Sequence, residues 1–371
     1  MKTIQQSVQA VLDTAGVKIN GKNPWDIQVK NDQFYSRVLA GGSLAIGESY
    51  VDGWWDCKEL DQLIYLLLRA NLDEYARHSK HVLINALKAR FLNLQTKTRS
   101  KIVGRHHYDV GNKLYRLMLD KRMNYSCAYW KDSKNLDEAQ ERKLDMICKK
   151  LRLKPGEKVL DIGCGWGSFA KYAAEKYKVS VVGITISKEQ AILARENCKG
   201  LDVEIRLQDY RDITEKFDKI VSIGMFEHVG YKNYRTFFEV VNRSLEDKGL
   251  FLLHTIGGNK SETHTEPWIS KYIFPNSMIP SAKQITHAYE HLFILKDWHN
   301  FGTDYDKTLM VWHANFNKNW DKIKNDYDER FKRMWNFYLS GCAASFRSHK
   351  NQLWQIVFSK NHSEVEYERM H

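Results

Sequence analysis

The stretch VLDIGCGWG, residues 159–167, constrains the fold of this chain more than any other. An apolar run carries an acid, Asp161, close to its end. Gly163, Gly165 and Gly167 then follow at alternate positions, where only glycine combines free backbone dihedrals with the absence of a side chain. The helix-forming stretch WGSFAKYAAEKY comes next. A strand, a glycine turn and a helix in that order belong to an α/β sheet whose backbone comes close to a ligand just beyond the strand.

The surrounding sequence repeats the alternation. KVLDIG, SVVGIT, VEIRL, KIVSIG and GLFLLHTI read as short, nearly continuous apolar strands, and SKEQAILARENC and YRTFFEVVNRSLE separate them as helices. Adding HLFILKDWH and KTLMVWHANF gives a doubly wound, seven-stranded sheet with its ligand expected at the carboxyl ends of the strands. With 371 residues, 43% of them hydrophobic, the chain is long enough for one large core and one small one. Residues 1–94 read as a small, mainly helical N-terminal domain with a basic linker, and residues 95–371 as the larger α/β domain.

Charge sets a second bound. The chain has 57 basic against 45 acidic residues, a formal charge of +12, so its surface is drawn to polyanions, either nucleic acid or anionic lipid head groups. From Tyr75 to Tyr108 there is no acidic residue, while Arg77, Lys80, Lys88, Arg90, Lys97, Arg99, Lys101 and Arg105 are interleaved with apolar residues such as Phe91 and Leu94. Such a stretch is either a solvated helix face with a linker or a contact with an anionic surface. Cys57, Cys127, Cys148, Cys164, Cys198 and Cys342 lack metal-type spacing, and MKTIQQSVQA is not an apolar leader, so a reducing cytoplasm is expected and a bound metal is not. No run reaches the roughly 18–20 apolar residues a membrane-crossing helix needs.

Two ligands suit a glycine turn of this kind, a dinucleotide pyrophosphate and S-adenosylmethionine. The dinucleotide pattern is G-x-G-x-x-G, whereas this turn is G-x-G-x-G. LDIGCGWG resembles the first motif of class I S-adenosylmethionine-dependent methyltransferases. HHYDVGNKLYRLMLD, MNYSCAYW, GITISKEQ, IVSIGMFEHVG and FLLHTIGG, preceded by LAIGESYVDGWWD, resemble the cyclopropane-fatty-acyl-phospholipid synthases in order and spacing. The resemblance covers nearly the whole chain.

That resemblance implies transfer of a methylene group from S-adenosylmethionine to the cis double bond of unsaturated acyl chains in membrane phospholipids. An alkene is a weak nucleophile, so the methyl group must be delivered in line within a dry cavity, and a base must then remove a proton so that the ring closes. In the family the base is a bound bicarbonate ion, and the resemblance assigns its ligands to Cys127, Glu227, His254, Tyr305 and the backbone of Ile256. Read without the resemblance, Cys127 among Tyr125, Tyr129 and Trp130 is an inert core thiol, His254 either serves the site or caps a loop, and Tyr305 either donates to an anion or lines a cavity. Glu227 follows a strand at the carboxyl edge and is the strongest of the set.

The resemblance assigns the cofactor to Asp161, Gly163, Gly165 and Gly167, with Asp209 and Tyr210 near the adenine. Tyr108, Tyr125 and Ser126 would close over the methionine end, where aromatic faces favour a sulfonium, although Tyr108 also fits a packed core. The acid that commonly ends the second strand is replaced by Thr185, so the ribose falls to Thr185, Ser187 and Gln190. The insertion TEPWISKYIFPNSMIPS, residues 265–281, offers Trp268, Tyr272, Phe274 and Met278 either as an acyl channel or as an ordinary apolar cap. The expected partners are unsaturated phospholipid acyl chains and an anionic membrane surface on the inner face of the cell membrane, without nucleic acid; a homodimer is one assembly compatible with this. A related lipid or small-molecule methyltransferase and a non-catalytic binding protein on the same scaffold are the alternatives.

Overall fold

The structure, a computed structural model, describes residues 3–72 and 111–369. The boundary expected at residues 94 and 95, the acid-free segment 75–108 and Tyr108 lie outside the described residues.

Two compact units emerge, and the chain passes between them more than once. The first takes in residues 3–72, 264–275 and 305–351. Its opening helix, Ile4–Asp13, starts at a reciprocal cap in which the Thr3 hydroxyl accepts from the Gln6 amide and the Gln6 side chain accepts from Thr3 N–H. Short strands β1 (Gln28–Val29) and β2 (Trp55–Asp56) pair antiparallel. Within Gln33–Val51 two helical runs meet at a kink, where Gly42 takes the non-helical φ 57° and ψ −137°. Phe34, Trp55 and Leu63 are fully buried in the core of this unit. Trp268 stacks at a tilt on Phe337, ring centres 4.7 Å apart, and Phe274 meets Tyr338 edge-on at 5.8 Å.

The second unit, residues 111–263, 276–304 and 352–369, carries the large sheet. Its strands are β3 (Lys158–Ile162), β4 (Ser180–Thr185), β5 (Val203–Leu207), β6 (Phe217–Ile223), β7 (Leu245–Gly258), β8 (Phe293–Asn300) and β9 (Asn351–Lys360), in the order β5-β4-β3-β6-β7-β9-β8. β3 to β7 run parallel, while β8 and β9 pair antiparallel. Apolar clusters cover the sheet on both faces, one around Leu160, Phe226, Phe238 and Phe358, the other around Val159, Phe169, Val181 and Leu252. The strand order reverses between β3 and β6, and a doubly wound sheet opens its crevice at such a point.

One expected strand is corrected. KTLMVWHANF lies within the helix Thr303–Lys318, and the seventh strand is NQLWQIVFSK in β9. The buried positions Thr308, Leu309, Trp312 and Phe316 follow a helical period, which the continuous run Leu309–Trp312 conceals.

Candidate active site

The glycine turn leaves β3 at the reversal point. The amides of Gly163 and Cys164 both donate to the Ile184 carbonyl on β4 at 3.0 Å, which pins the turn to the neighbouring strand. All three glycines have positive φ, at 85°, 54° and 82°. Their surroundings differ. A Cβ on Gly163 would lie 2.7 Å from Met225 side-chain atoms, and one on Gly167 2.9 Å from Cys198 Sγ. Only at Gly165 would it meet nothing within 4 Å. A Cβ at Gly163 or Gly167 would thus meet the protein's own side chains, whereas one at Gly165 would enter free space.

Asp161 on β3 is buried, and neither of its carboxylate oxygens has a hydrogen-bond partner. Burial pushes its pKa up to about 7, opposed by the nearby Lys143 ammonium. An acid left unsatisfied beside a glycine turn fits a ligand bearing N–H groups, as the amino group of S-adenosylmethionine does. Thr185, Ser187 and Gln190 are all buried and hold one another: the Thr185 hydroxyl donates to Gln190 Oε1 at 2.9 Å and accepts from Ser187 N–H at 3.2 Å, while Ser187 caps helix Lys188–Asn197. Asp209 accepts from Arg211 at 2.6 and 2.8 Å, and Tyr210 packs edge-on against Phe237. Tyr125 stands edge-on to Tyr115 at 5.0 Å.

β6 and β7 bring together two groups that are 27 residues apart in sequence. Ile223 pairs with His254, and the Gly224 amide donates to the His254 carbonyl at 2.9 Å. A single 3-10 turn, Phe226–His228, then presents Glu227, whose Oε1 accepts from Ile256 N–H at 2.6 Å. The Ile256 backbone, expected to hold the anion, thus gives its N–H to Glu227. Glu227 Oε2 is buried without a partner, and burial raises the carboxyl pKa. His254 is buried, its Nδ1 lies 3.2 Å from Gln355 Nε2, and its Nε2 has no partner. Burial holds the imidazole pKa well below its ordinary value, helped by the positive charges of Lys143 and Lys150. Cys127 is fully buried with Sγ 3.1 Å from the Ala128 carbonyl. Tyr305 belongs to the other unit, where its ring lies 4.6 Å from Phe346 and 6.0 Å from Trp312.

Residues absent from the motif reading tie the site down. Lys143, fully buried on helix Leu136–Lys150, donates to Asn124 Oδ1 and Ser126 Oγ, both at 3.0 Å. Gln140, one turn earlier, donates to the Ser126 carbonyl at 2.9 Å, and Ser168, just past the glycine turn, donates to Asn124 Oδ1 at 2.8 Å. MNYSC and the glycine turn therefore share one buried network. Burial lowers the Lys143 pKa to about 8. The sequence does hold a signal: Gln140 and Lys143 occupy the same helical stripe as Leu136, Ala139, Leu144 and Ile147, where an apolar residue would be expected.

The mycolic acid cyclopropane synthetase family model matches residues 95–356. The chain is 56% identical to a cyclopropane-fatty-acyl-phospholipid synthase of Escherichia coli strain K12, over 94% of this chain and 92% of that one. Among solved structures, a cyclopropane synthase of Mycobacterium tuberculosis is similar with a TM-score of 0.67 at 30% identity, covering 73% of this chain and all of that one. A mycolic acid cyclopropane synthase complexed with S-adenosylhomocysteine (SAH) is similar with a TM-score of 0.66 at 33% identity, covering 70% of this chain and 98% of the other.

Proposed function

The chain belongs to the mycolic acid cyclopropane synthetase family, and we propose that it converts cis double bonds of unsaturated phospholipid acyl chains into cyclopropane rings with a buried bicarbonate ion as base. When bound, S-adenosylmethionine supplies an electrophilic methyl group, and bicarbonate accepts the proton lost as the ring closes. The chain's residues hold and exclude. Gly165 leaves room for the cofactor, Asp161 receives its amino group, and Ser126 and Tyr125 close the methionine end. Thr185, Ser187 and Gln190 take the ribose, with Asp209 and Tyr210 toward the adenine. Glu227, fixed by the Ile256 amide, holds the base together with His254 and Cys127.

One observation carries this reading. Glu227 Oε2 and His254 Nε2 come from adjoining strand ends, both buried and both without a partner. Buried polar atoms are nearly always satisfied, so a pair left open at the carboxyl edge of the sheet supports a small polar ligand there. The acid-free segment and the formal charge of +12 support work at an anionic membrane surface on its cytoplasmic side. No helix among the described residues is long and apolar enough to cross a membrane.

The test is mass analysis of unsaturated phospholipid vesicles incubated with protein and S-adenosylmethionine. The expected product gains one CH2 and loses its alkene; a branched methyl product instead assigns the chain to another lipid methyltransferase chemistry. In degassed buffer, added bicarbonate restores turnover of the wild type. Glu227→Gln loses most turnover while keeping cofactor affinity, since it acts on the base and not on the donor.

A further inference from the structure

Neutral imidazole carries one proton, and its location decides what the ring can offer a ligand. His254 sits on β7 with Gln355 beside it on β9, both wholly shielded from solvent. The Gln355 carboxamide presents Nε2, a donor only, to His254 Nδ1 at 3.2 Å. A donor there requires Nδ1 to accept, which leaves the ring proton on Nε2, the atom with no protein partner.

We propose that Gln355 is a positioning residue that holds the His254 proton on Nε2, so that the buried site offers its ligand one donor at His254 and one acceptor at Glu227. This rests on the reading of those two residues as anion ligands. It also narrows the ligand. Glu227 Oε1 is already engaged by the Ile256 amide, so its open Oε2 calls for a proton from the ligand, while His254 calls for a lone pair. Bicarbonate has both, an O–H and bare oxygens. Nitrate has the same planar shape but no proton, and would set a lone pair against the Glu227 carboxylate. Selection of a protonated oxyanion over its aprotic counterpart thus follows from two fixed hydrogen-bond polarities. Because burial, helped by the charges of Lys143 and Lys150, disfavours a second proton on the ring, the imidazole stays neutral and its tautomer decides what Nε2 offers.

The experiment uses the full chain labelled with 15N-histidine, with the His254 signal assigned by its loss in His254→Gln. Long-range 1H–15N spectra at neutral pH are expected to show the Nε2–H tautomer in the wild type. Gln355→Glu puts an acceptor against Nδ1 and draws the proton there. Gln355→Met matches the side chain's length without a donor and gives a mixture of tautomers. In Gln355→Glu the bicarbonate concentration for half-maximal turnover rises at least tenfold, in Gln355→Met it rises by the reciprocal of the remaining Nε2–H fraction, and in both S-adenosylmethionine affinity by calorimetry stays within twofold. Nitrate, which has no proton for Glu227, does not compete with bicarbonate in the wild type, and it gains no affinity as the tautomer changes, because Nε2 then also presents a lone pair. An Nδ1–H tautomer in the wild type overturns the proposal, as does a shifted tautomer with an unchanged bicarbonate requirement. If Gln355→Glu fails to fold, an Nε2–H tautomer in Gln355→Met alone overturns it. Wild-type turnover indifferent to bicarbonate, with the tautomer as expected, overturns the anion reading and leaves the Gln355 assignment supported by the spectra.

Discussion

Three glycines with positive φ in one turn do two different jobs, and substitution separates them. Gly163→Val places branched carbon against the Met225 side chain as well as straining the backbone, so it destabilises the fold by roughly 1–3 kcal/mol. Gly165→Val has open space around its Cβ and suffers mainly the dihedral strain of about 1–2 kcal/mol, yet it fills the space where the cofactor is proposed to lie. Calorimetry and thermal melts on both variants check this: Gly165→Val is expected to stay folded and lose S-adenosylmethionine binding. Wild-type affinity in that variant would place the cofactor elsewhere. Asp161 makes a pH prediction at the same scale. Its folded pKa, about 7 against an ordinary 3.8, means that the folded chain keeps a proton which the unfolded chain has released. Its contribution to stability is therefore whole below about pH 4, declines as pH rises through 7 and is level above that. Asp161→Asn removes that slope, so the variant gains on the wild type by roughly 1–3 kcal/mol between pH 5 and 8 in denaturant titrations without cofactor. Parallel stability curves would show that the carboxyl is solvated in the free protein.

At the scale of elements, what the sequence reveals depends on how far apart the interacting residues lie. The glycine turn and the five parallel strands are legible because each rests on a run of a few residues. The helix Thr303–Lys318 is not, because a continuous apolar run has no period until its packing partners are known. Lys143 hides for the opposite reason, since a lysine in LDEAQERKLDMICKK reads as solvated until the stripe it shares with Leu144 and Ile147 is seen to be buried. Gln355 lies 101 residues from His254, and only the adjacency of β7 and β9 joins them. The first unit depends on a similar long-range tie. Arg333, on helix Glu329–Arg347, donates to the Tyr50 and Trp55 carbonyls at 2.6 and 2.8 Å, pairs with Asp56 at 2.8 Å, and stacks over the Tyr50 ring. Arg333→Met keeps much of the stem and loses all of the polar contacts, at a cost of about 2–4 kcal/mol. Cofactor affinity should hold, because the glycine turn belongs to the other unit. Limited proteolysis with calorimetry reads both: earlier cleavage within residues 3–72 with unchanged S-adenosylmethionine binding is expected, and unchanged proteolysis would reduce Arg333 to a surface contact.

For the whole molecule, the physical problem is access, because the alkene of a phospholipid is buried in the bilayer and does not diffuse to the enzyme. A net charge of +12 favours polyanionic surfaces, and the acid-free segment from Tyr75 to Tyr108 concentrates basic residues, so the proposed contact with anionic head groups is tested there. Each basic residue close to the surface contributes about 1 kcal/mol, screened beyond roughly 10 Å at moderate salt, so two or three of them separate weak binding from useful binding. Reversing Lys97, Arg99 and Lys101 to glutamate changes the charge by six and is expected to abolish sedimentation with anionic vesicles. Turnover on those vesicles falls with it, while S-adenosylmethionine affinity stays as in the wild type, and raising salt reproduces the loss in the unaltered protein. RNA binding lost in the triple variant, with vesicle turnover intact, would instead identify the segment as a nucleic-acid contact. Sedimentation equal to wild type at low salt would make it a solvated linker, and the membrane contact would then be sought at exposed apolar residues of the first unit such as Ile4 and Leu39, which are 54% and 53% exposed.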